Sequence, residues 1–543
     1  MSKFRYLALG IIFVGLAFTY SKNGGTNLSN TPGLSCTSYQ QARSVATDAK
    51  GRVHTAWVET TMKKGATSGI GELRLPSVKL TNTVNHSYCA KLVMSSDKDS
   101  GQVDVPGLFY RRSIDGGNNW EDTVRLADSV DRGASSIGTN DLDAVHIVWT
   151  DGLVHYKHSL DGGGTWGTGT VIAGDSTSSC LASVIGQGNW VHIAWREDQD
   201  YSLYRIMYIW SNDTGLTWAN PTEIALVETR GVQVDNDVIV LAIPSLSSSD
   251  TLVHLVWQDT KDDTTGEIYY RRSVDNGVNW ELERRLTDDE YISFWPSVAS
   301  CGEFVHIGWL ERNSLTDSCS RYWYLLSPNG GVSWMEPVQL IEDSPIDYLF
   351  GTPQLTAKWT GKGGYVALVW GEFIGTPDTL EPDIWAILYK YSADNGMTWH
   401  DAEIVRKDTT FCSSPSSSID DEGNLHIVWT DMRDGNYETY YAKYPLTGVE
   451  ERTNPNSQIQ NPKLEVLPNP SFGNSVIRYT MPQTTQVSLN LYDLTGRLVR
   501  SIYSGKRERG SYTANIDGLQ SGIYFIVLEA VEFKATRKLT ILR

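Results

Sequence analysis

An eight-residue pattern that repeats six times constrains the fold of this chain more than any other feature. Each copy has the form Ser-x-(Asp/Asn)-x-Gly-x-x-Trp, in which the Asp can accept hydrogen bonds from backbone amides of its own turn and the Gly supplies a positive φ. The copies, called Ser–Trp turns below, are Ser113–Trp120, Ser159–Trp166, Ser211–Trp218, Ser273–Trp280, Ser327–Trp334 and Ser392–Trp399. Their Trp residues lie 46 to 65 positions apart. Such spacing is typical of propeller blades with four strands each.

A second pattern, His-x-x-Trp within a short β-branched run, alternates with the first. Its copies are His54–Trp57, His146–Trp149, His192–Trp195, His254–Trp257, His306–Trp309 and His426–Trp429, and a seventh, Ala367–Trp370, lacks the His. We expect each imidazole to be buried and bonded to a neighbouring blade. The two patterns hold most of the 19 Trp residues. The remainder, of which one or two are expected to be exposed, are Trp190, Trp210, Trp295, Trp323, Trp359 and Trp385.

Within each repeat, a period of two in the hydrophobic residues predicts strands on either side of the turn. In the fourth repeat the predicted strands are Thr251–Gln258, Glu267–Arg272 and Glu283–Leu286, preceded by Val238–Ile243. Between the first two copies, Met62–Val105 is predicted to be an inserted hairpin.

The six turns are those of the Asp-box, and from about residue 35 to 447 the sequence resembles the sialidase-like β-propeller superfamily. The resemblance implies six blades, whereas the strand Trp occurs seven times, so we predict an all-β propeller of six or seven blades. To close the ring, the N-terminal stretch near Cys36 would supply the outer strand of the last blade. The resemblance also implies a structural role, away from the active site, for Asp115, Asp161, Asp213, Asp275, Asn329 and Asp394.

The six cysteines are sparse and have no metal-binding spacing, which favours disulfides or free thiols over a zinc site. If the ring closes near Cys36, this residue would approach Cys412, and we predict a disulfide between them. Cys301 and Cys319 lie in one repeat and are predicted to pair across adjacent strands.

The tail of the chain differs from the repeats. Residues 448–462 form a polar linker, and residues 463–543 contain six or seven short predicted strands, which indicates a small β-sandwich. The motifs Pro468–Pro470, Leu491–Arg497, Leu519–Tyr524 and Lys538–Ile541 resemble the C-terminal sorting domain of type IX secretion. This resemblance implies a partner, the type IX secretion machinery, and export to the outer-membrane surface or the medium. The alternative is an accessory immunoglobulin-like module.

The first 21 residues have the layout of a secretory signal peptide, with Lys3 and Arg5 before the apolar run Tyr6–Tyr20. That run is shorter than a membrane span requires, so we predict a mature chain without a transmembrane segment; the alternative is an uncleaved anchor. The net charge of −18 excludes a surface that tracks phosphates and therefore argues against nucleic-acid binding.

An acidic residue follows each of the seven strand Trp residues by two positions. These carboxylates, called the carboxylate ring below, are Glu59, Asp151, Glu197, Asp259, Glu311, Glu372 and Asp431. Because successive connections of a blade alternate between its two edges, the ring should lie opposite the Ser–Trp turns. It would hold a cation, with calcium the candidate, or form a charged rim for a polar ligand. Alternatively, each carboxylate caps its own loop, which is the usual role of a residue repeated in every blade.

Sialidase chemistry, as the resemblance implies it, needs three arginines on a carboxylate, an Asp acid/base and a Tyr activated by a Glu. The Arg-Ile-Pro motif of that family is absent, and its nearest equivalent is Arg43. The other candidate catalytic residues are Arg196, Arg312, Arg433, Asp431 and Glu438. Tyr437 and Glu438 are adjacent on a strand and point to opposite sides, so they do not identify a nucleophile pair.

We therefore predict a secreted or cell-surface propeller directed at a glycan or glycoprotein surface. If it is active, it would be a glycoside hydrolase resembling exo-α-sialidases. The alternative is a non-catalytic carbohydrate- or protein-binding adhesion propeller.

Overall fold

The chain divides into two compact units, residues 1–448 and 449–543. The computed structural model describes residues 25–30, 34–37, 43–60, 106–128, 130, 135–174, 179–199, 203–228, 233–234, 237–238, 243–261, 266–313, 320–344, 353–361, 363–374, 384–446, 464–467, 471, 475–481, 484–493, 497–508, 510–530 and 533–541. The predicted signal peptide, the predicted hairpin at 62–105 and the predicted linker at 448–462 lie outside these residues. No helix in the described part of the chain is long and apolar enough to cross a membrane.

The first unit is a β-propeller with seven antiparallel four-stranded sheets, so the count from the strand Trp is the correct one. From the first to the fourth strand, the blades are as follows: blade 1, Leu34–Cys36 with Val45–Thr47, Val53–Thr60, Gly107–Ser113, Val124–Ala127; blade 2, Ser135–Thr139, Val145–Thr150, Val154–Ser159, Thr170–Ala173; blade 3, Ser179–Gln187, Trp190–Asp198, Leu203–Ser211, Thr222–Glu228; blade 4, Ser245–Ser249, Leu252–Asp259, Glu267–Ser273, Arg284–Arg285; blade 5, Ile292–Cys301, Phe304–Arg312, Ser320–Ser327, Val338–Ser344; blade 6, Gln354–Thr360, Gly363–Ile374, Ile384–Ser392, Glu403–Asp408; blade 7, Cys412–Ile419, Asn424–Asp431, Glu438–Pro445, Thr26–Asn27.

One strand of blade 4 differs from the prediction. The lead-in strand of blade 4 was expected at Val238–Ile243, but the first strand is Ser245–Ser249. Asp237–Val238 instead pairs with Gln233–Val234 in a short hairpin between blades 3 and 4. The apolar run alone did not distinguish a strand of the blade from a connecting hairpin.

The seven first strands surround the axis of the propeller, each in contact with the first strands of both neighbouring blades. Side chains on these strands bind the backbone of the next blade. The Ser245 hydroxyl accepts from the Val298 amide at 3.0 Å, and the Ser297 hydroxyl accepts from the Leu355 amide at 3.0 Å. At the end of the ring, the Ser416 hydroxyl accepts from the Ser44 amide at 2.9 Å. These bonds satisfy buried backbone donors that strand pairing within one blade leaves over.

The N-terminus closes the ring, although with a different segment from the one expected. Thr26 and Asn27 pair with Tyr441 and Tyr440 as the outer strand of blade 7. Cys36 lies in the first strand of blade 1, where it pairs with Val58. Blade 7 is thus built from both ends of the propeller sequence.

One aromatic unit joins the blades at six of the seven junctions. In blade 3, the Nδ1 atom of His192 lies 2.7 Å from the Tyr208 hydroxyl. The Tyr208 ring meets Trp280, from the Ser–Trp turn of blade 4, edge-on at a centroid distance of 4.9 Å. The equivalent His, Tyr and next-blade Trp sets are His54, Tyr110, Trp166; His146, Tyr156, Trp218; His254, Tyr270, Trp334; His306, Tyr324, Trp399; and His426, Tyr441, Trp120.

The repeated His residues therefore bond within their own blade, and it is the Tyr that reaches the neighbouring blade. In His54 and His426, the other ring nitrogen contacts Asp48 at 2.9 Å and Asp420 at 3.0 Å. A neutral imidazole that donates to a carboxylate through Nε2 accepts the Tyr hydroxyl through Nδ1.

The junction between blades 6 and 7 lacks this unit. Blade 6 has Ala367 in place of the His, and blade 7 has no Ser–Trp turn. Tyr391 of blade 6 stacks instead on His400 of the same blade at 4.2 Å. Both parts of the unit are missing at one junction, which explains why the seventh His and the seventh turn are absent together.

Each Ser–Trp turn has the predicted hydrogen bonds. In the fourth, the Asn279 amide donates to Asp275 Oδ1 at 2.8 Å, and the Gly277 amide donates to the Ser273 hydroxyl at 2.8 Å. Gly277 has φ of 79°. A Cβ atom at Gly277 would overlap the hydroxyl oxygen of Tyr208, so glycine is needed both for the turn and for the blade junction.

The second unit is a β-sandwich. One sheet contains, in spatial order, Leu464–Leu467, Ser475–Met481 and Gly510–Ile516, and the other contains Leu498–Arg507, Thr485–Asp493, Gly522–Ala530 and Phe533–Ile541. Ile477, Leu489, Ile526 and Leu539 are buried in the core between them. Six of these strands overlap those predicted from the alternating pattern.

The predicted Cys36–Cys412 disulfide is wrong, because the structure has no disulfide bond between these two residues. Cys412 is buried and lies 3.5 Å from Nη1 of Arg406. Cys301 is a free cysteine, and Cys319, with which it could pair, lies outside the described residues.

We predict that Gly277→Ala lowers the free energy of unfolding by about 2–4 kcal/mol, because it adds a steric overlap to the strain of a positive φ. Gly188→Ala is the matched control. Gly188 also has a positive φ, of 52°, but no atom lies within 4 Å of the position that a Cβ would take there, so a loss of only about 1 kcal/mol is expected. Urea unfolding measures both; equal losses would contradict the proposed packing at the junction.

A second prediction concerns the stability of the propeller at low pH. Burial lowers the pKa of His146, His192, His254 and His306 to about 3. Below pH 6.5 these histidines bind protons in the unfolded chain but stay neutral in the folded chain. The free energy of unfolding therefore falls as the pH drops from 6.5 towards 3. Each residue contributes up to about 1.4 kcal/mol per pH unit. In urea unfolding at a series of pH values, His192→Asn should reduce this slope by close to one proton, whereas an unchanged slope would show that His192 titrates normally.

Candidate functional site

The two edges of the propeller differ in their connections. The Ser–Trp turns lie at the edge where the first and third strands end; there the Gly162 amide donates to the Asp143 carbonyl at 2.7 Å, and the Asn276 amide donates to the Thr251 carbonyl at 2.9 Å. We call this edge the turn face and the opposite edge the loop face. On the turn face, first and second strands are joined by short hairpins such as 48–52. The loop face carries the longer connections, including that from Thr60 to Gly107.

The carboxylate ring lies at the ends of the second strands, hence on the loop face as predicted from topology. Four members accept a hydrogen bond from the indole N–H of the strand Trp two residues earlier. The donor–acceptor pairs are Trp57 to Glu59 at 3.3 Å, Trp195 to Glu197 at 3.1 Å, Trp370 to Glu372 at 3.3 Å and Trp429 to Asp431 at 2.8 Å. These carboxylates anchor the buried indoles, and only Glu372 of the four is more than marginally exposed.

The other three members also bind within their own blades. Asp151 contacts His155 Nε2 at 2.6 Å, and Glu311 accepts from the Trp323 indole at 2.8 Å. Asp259 accepts from the Lys261 amide at 3.0 Å. Each member thus has a partner within its own blade, and the usual partner is an indole rather than the backbone amide we expected. Among the described residues, no group of three or more His, Cys, Asp or Glu side chains is arranged to hold a metal ion.

Asp259 is the exception within the ring. Its side chain is fully buried, and its Oδ2 atom has no hydrogen-bond partner among the described residues. Burial raises the pKa of Asp259 to about 6, and the charge of Lys261, whose Nζ lies 3.6 Å from Oδ2, only partly opposes this shift. Burial also raises the pKa of Glu311.

Asp431 is shared by two arginines. Arg406 Nε lies 2.8 Å and Arg433 Nη2 lies 2.6 Å from its Oδ2 atom. Arg433 also packs over the Tyr440 ring, with its guanidinium carbon 4.2 Å from the centroid. Sequence reasoning missed Arg406, because it comes from the fourth strand of blade 6 and no repeated position marks it.

The other predicted arginines have contacts of their own. Arg196 in blade 3 donates to Asp198 at 2.6 Å and packs 3.6 Å from the Tyr204 centroid. Arg312 in blade 5 donates to the Ser320 hydroxyl at 2.7 Å. Arg43 in blade 1 lies beside the propeller axis. Arg196 and Arg312 are thus each held by a partner from their own blade.

Glu438 has a structural partner. It is buried, and its Oε2 atom contacts the hydroxyl of Ser29, which in turn accepts from the Thr439 amide at 2.9 Å. Glu438 thus holds the N-terminal segment against blade 7. Tyr437 precedes it at the loop face, where the neighbouring ring is Phe411 at a centroid distance of 5.9 Å.

Three first strands share an irregularity that sequence reasoning missed. In blades 3, 5 and 7, two residues bulge opposite the strand Trp. The first residue of each bulge has a positive φ: 57° at Leu181, 52° at Trp295 and 52° at Ser414. In blade 1 the first strand is interrupted at the same level, between Cys36 and Val45. The signal in the sequence is a short x-x-(Ala/Pro)-Ser motif, which ends at Ser183, Ser297 and Ser416.

Bulges change the direction of side chains and occur often beside functional sites, and a non-glycine residue at positive φ costs about 1–2 kcal/mol. Three such residues at equivalent positions, all on the side of the loop face, indicate that the axial opening on this face is the specialised part of the scaffold.

We predict that Asp259→Asn raises the free energy of unfolding at pH 8 by about 2 kcal/mol. A carboxyl with a folded pKa near 6 and an unfolded pKa near 4 loses stability as the pH rises through 6, and the neutral amide does not. At pH 4 the two proteins should be equally stable. Asp431→Asn, which removes the charge between Arg406 and Arg433, is the control and should destabilise at pH 8. Urea unfolding at pH 4 and pH 8 measures the free energy of unfolding of the parent protein and both variants. A loss of stability in Asp259→Asn at pH 8 would contradict the raised pKa.

Residues 465–542 match the family model of the secretion system C-terminal sorting domain. No curated protein matches the sequence. Among solved structures, an α-L-arabinofuranosidase of Fusarium graminearum is 14% identical with a TM-score of 0.38, covering 56% of this chain and 90% of its own. Trypanosoma rangeli sialidase is 12% identical with a TM-score of 0.37, covering 78% and 88%. The leech intramolecular trans-sialidase is 11% identical with a TM-score of 0.35, covering 75% and 68%. At these values the propeller is established by its own strand pairing.

Proposed function

We propose that this protein is an exported propeller that binds a glycan at the loop face. The N-terminal 21 residues would direct export as a signal peptide, and the C-terminal sorting domain would take the chain to the cell surface or the medium by type IX secretion. The partner at that location is a glycan or glycoprotein surface.

The observation that carries this proposal is a row of aromatic rings beside Arg433 on the loop face of blades 6 and 7. Trp385 and Phe411 meet edge-on with centroids 4.7 Å apart, and Tyr437 continues the row beyond Phe411. Trp385 is buried at one end of the row, whereas Phe411 and Tyr437 are half-buried and keep part of their rings accessible. Aromatic faces next to a guanidinium and carboxylates combine apolar contact with directional polar groups, as sugar rings require.

The loop face supports this location in a second way. It carries the long connections and the three bulges, whereas the turn face has short, repeated hairpins. Binding residues are disproportionately found on loops that a rigid scaffold positions.

The arrangement favours binding over sialidase chemistry. Arg196 and Arg312 are held within blades 3 and 5, and Arg433 shares Asp431 with Arg406. The carboxylate ring is occupied by indoles and other partners within each blade, so no charged acid/base pair stands free among the described members. Glycoside hydrolysis is therefore the alternative function, and the experiments below test it.

The test uses the purified full chain on a glycan array, followed by titration of the strongest glycan. Arg433→Ala should weaken binding about tenfold, because it removes a partly exposed cation from the aromatic row. Lys50→Ala, at an exposed cation on the turn face, should leave binding unchanged. The absence of any bound glycan, or equal affinity of parent and Arg433→Ala, would overturn the proposal.

The same preparation is assayed with a fluorogenic α-sialoside. Turnover by the parent protein that is lost in Arg433→Ala would replace the binding function with a hydrolase. We expect no turnover, because Arg196 and Arg312 are engaged by Asp198 and Ser320 of their own blades.

A further inference from the structure

A separate cavity lies on the propeller axis at the turn face. It has a volume of about 280 Å³ and is lined by the ends of all seven first strands. Most of its lining comes from the ends of the first strands nearest the Ser–Trp turns, and it includes none of Trp385, Phe411, Tyr437 and Arg433. Its wall is rich in hydroxyl groups, including Thr47, Thr139 and Ser418.

An exposed tryptophan stands in the wall of this cavity. Trp359, in the first strand of blade 6, is 55% exposed. Of the six Trp residues outside the two repeated patterns, the other five are buried or half-buried. An exposed Trp is unusual, since a side chain of this size gains most from burial. Its position beside polar groups gives a flat apolar face next to hydrogen-bonding partners.

The polar atoms of the wall are not all used by the protein. Thr47 Oγ1 and Ser418 Oγ bond to each other at 2.9 Å, and Ser247 Oγ bonds to Ser300 Oγ at 2.8 Å. In contrast, Ser248 Oγ and Gln187 Oε1 are buried without a hydrogen-bond partner among the described residues. A buried polar atom without a partner costs about 1–3 kcal/mol, which a ligand that supplies the partner recovers.

The wall also contains a cation. The Arg43 guanidinium forms no ion pair with a described residue, whereas Lys358, the other cation of the wall, lies 2.9 Å from Asp421. Burial lowers the pKa of Arg43 to about 10, which leaves it charged at neutral pH. A charged group in a confined site is stabilised by an opposite charge, and a guanidinium fits a planar or tetrahedral oxyanion through two hydrogen bonds.

We propose that the axial cavity binds the end of a carbohydrate that carries an oxyanion group. The sugar ring stacks on Trp359, its hydroxyls bond to Ser248 and Gln187, and its carboxylate or sulfate meets Arg43. This site goes beyond the loop-face function and does not depend on it, since no residue is shared.

The experiment titrates the full chain with three probes: glucuronate, glucose 6-sulfate and glucose, with ligand-observed NMR as the readout. Both charged sugars should bind about 10- to 100-fold more tightly than glucose, because each adds a charge-assisted contact. Preference for only one of the two charged probes would identify the oxyanion as a carboxylate or a sulfate.

Two variants separate the contributions. Trp359→Ala should weaken binding of all three probes about tenfold, and Arg43→Gln should remove the preference for the charged sugars while glucose binding persists. Leu282→Ala is the matched control, since Leu282 is an apolar side chain beside a Ser–Trp turn that is 87% exposed and lies outside the cavity wall. Urea unfolding of each variant shows whether it is folded.

Unchanged binding in folded Trp359→Ala would overturn the site, and equal affinity for glucose and the charged sugars would overturn the role of Arg43. Arg433→Ala is included in the same titrations. Loss of probe binding in Arg433→Ala but not in Trp359→Ala would place the sugar on the loop face and reject the axial site, whereas the reverse result would support the axial site and leave the loop face to its own test.

Discussion

The structure depends on one contact, the approach of a tyrosine hydroxyl to a glycine of the next blade. A propeller sheet cannot bury its two faces alone, so each blade must be matched to its neighbour. Here the match is made by a buried His that fixes a Tyr hydroxyl, by a glycine that leaves room for it, and by a Trp that meets the Tyr ring edge-on. The Ser–Trp turn thus does more than reverse the chain, because its Gly and Trp form half of the junction.

The exception at blades 6 and 7 follows from the same contact. Without a Ser–Trp turn in blade 7, a His-supported Tyr in blade 6 would have nothing to meet, and Ala367 replaces the His. This junction adjoins the blade that receives Thr26 and Asn27 from the N-terminus. The strand exchange and the polar contacts of Ser29 with Glu438 and Thr439 stabilise the blade at which the repeat pattern stops.

The carboxylate ring is part of the repeated structure, because its members bond to side chains or backbone of their own blades. A carboxylate that accepts an indole N–H is fixed in orientation, because one of its acceptor sites is used within the blade. Asp431 also pairs with two arginines, and removing one partner of such a buried group is strongly destabilising. The bulges, the aromatic row, Arg43 and Trp359 depart from the repeat, and the two proposed binding sites are built on them.

The sequence by itself determined the all-β class, the repeating unit, the hydrogen bonding of each turn and the strands of the tail, because these depend on local periodicity and turn chemistry. It also indicated seven blades through the strand Trp. Only the tertiary structure decided which residues meet: that Arg406 joins Arg433 at Asp431, that Cys36 and Cys412 form no disulfide with each other, and that Trp359 and Arg43 line one axial cavity. Contacts between blades join residues tens to hundreds of positions apart, and neither spacing nor composition specifies the register at which such distant segments pack.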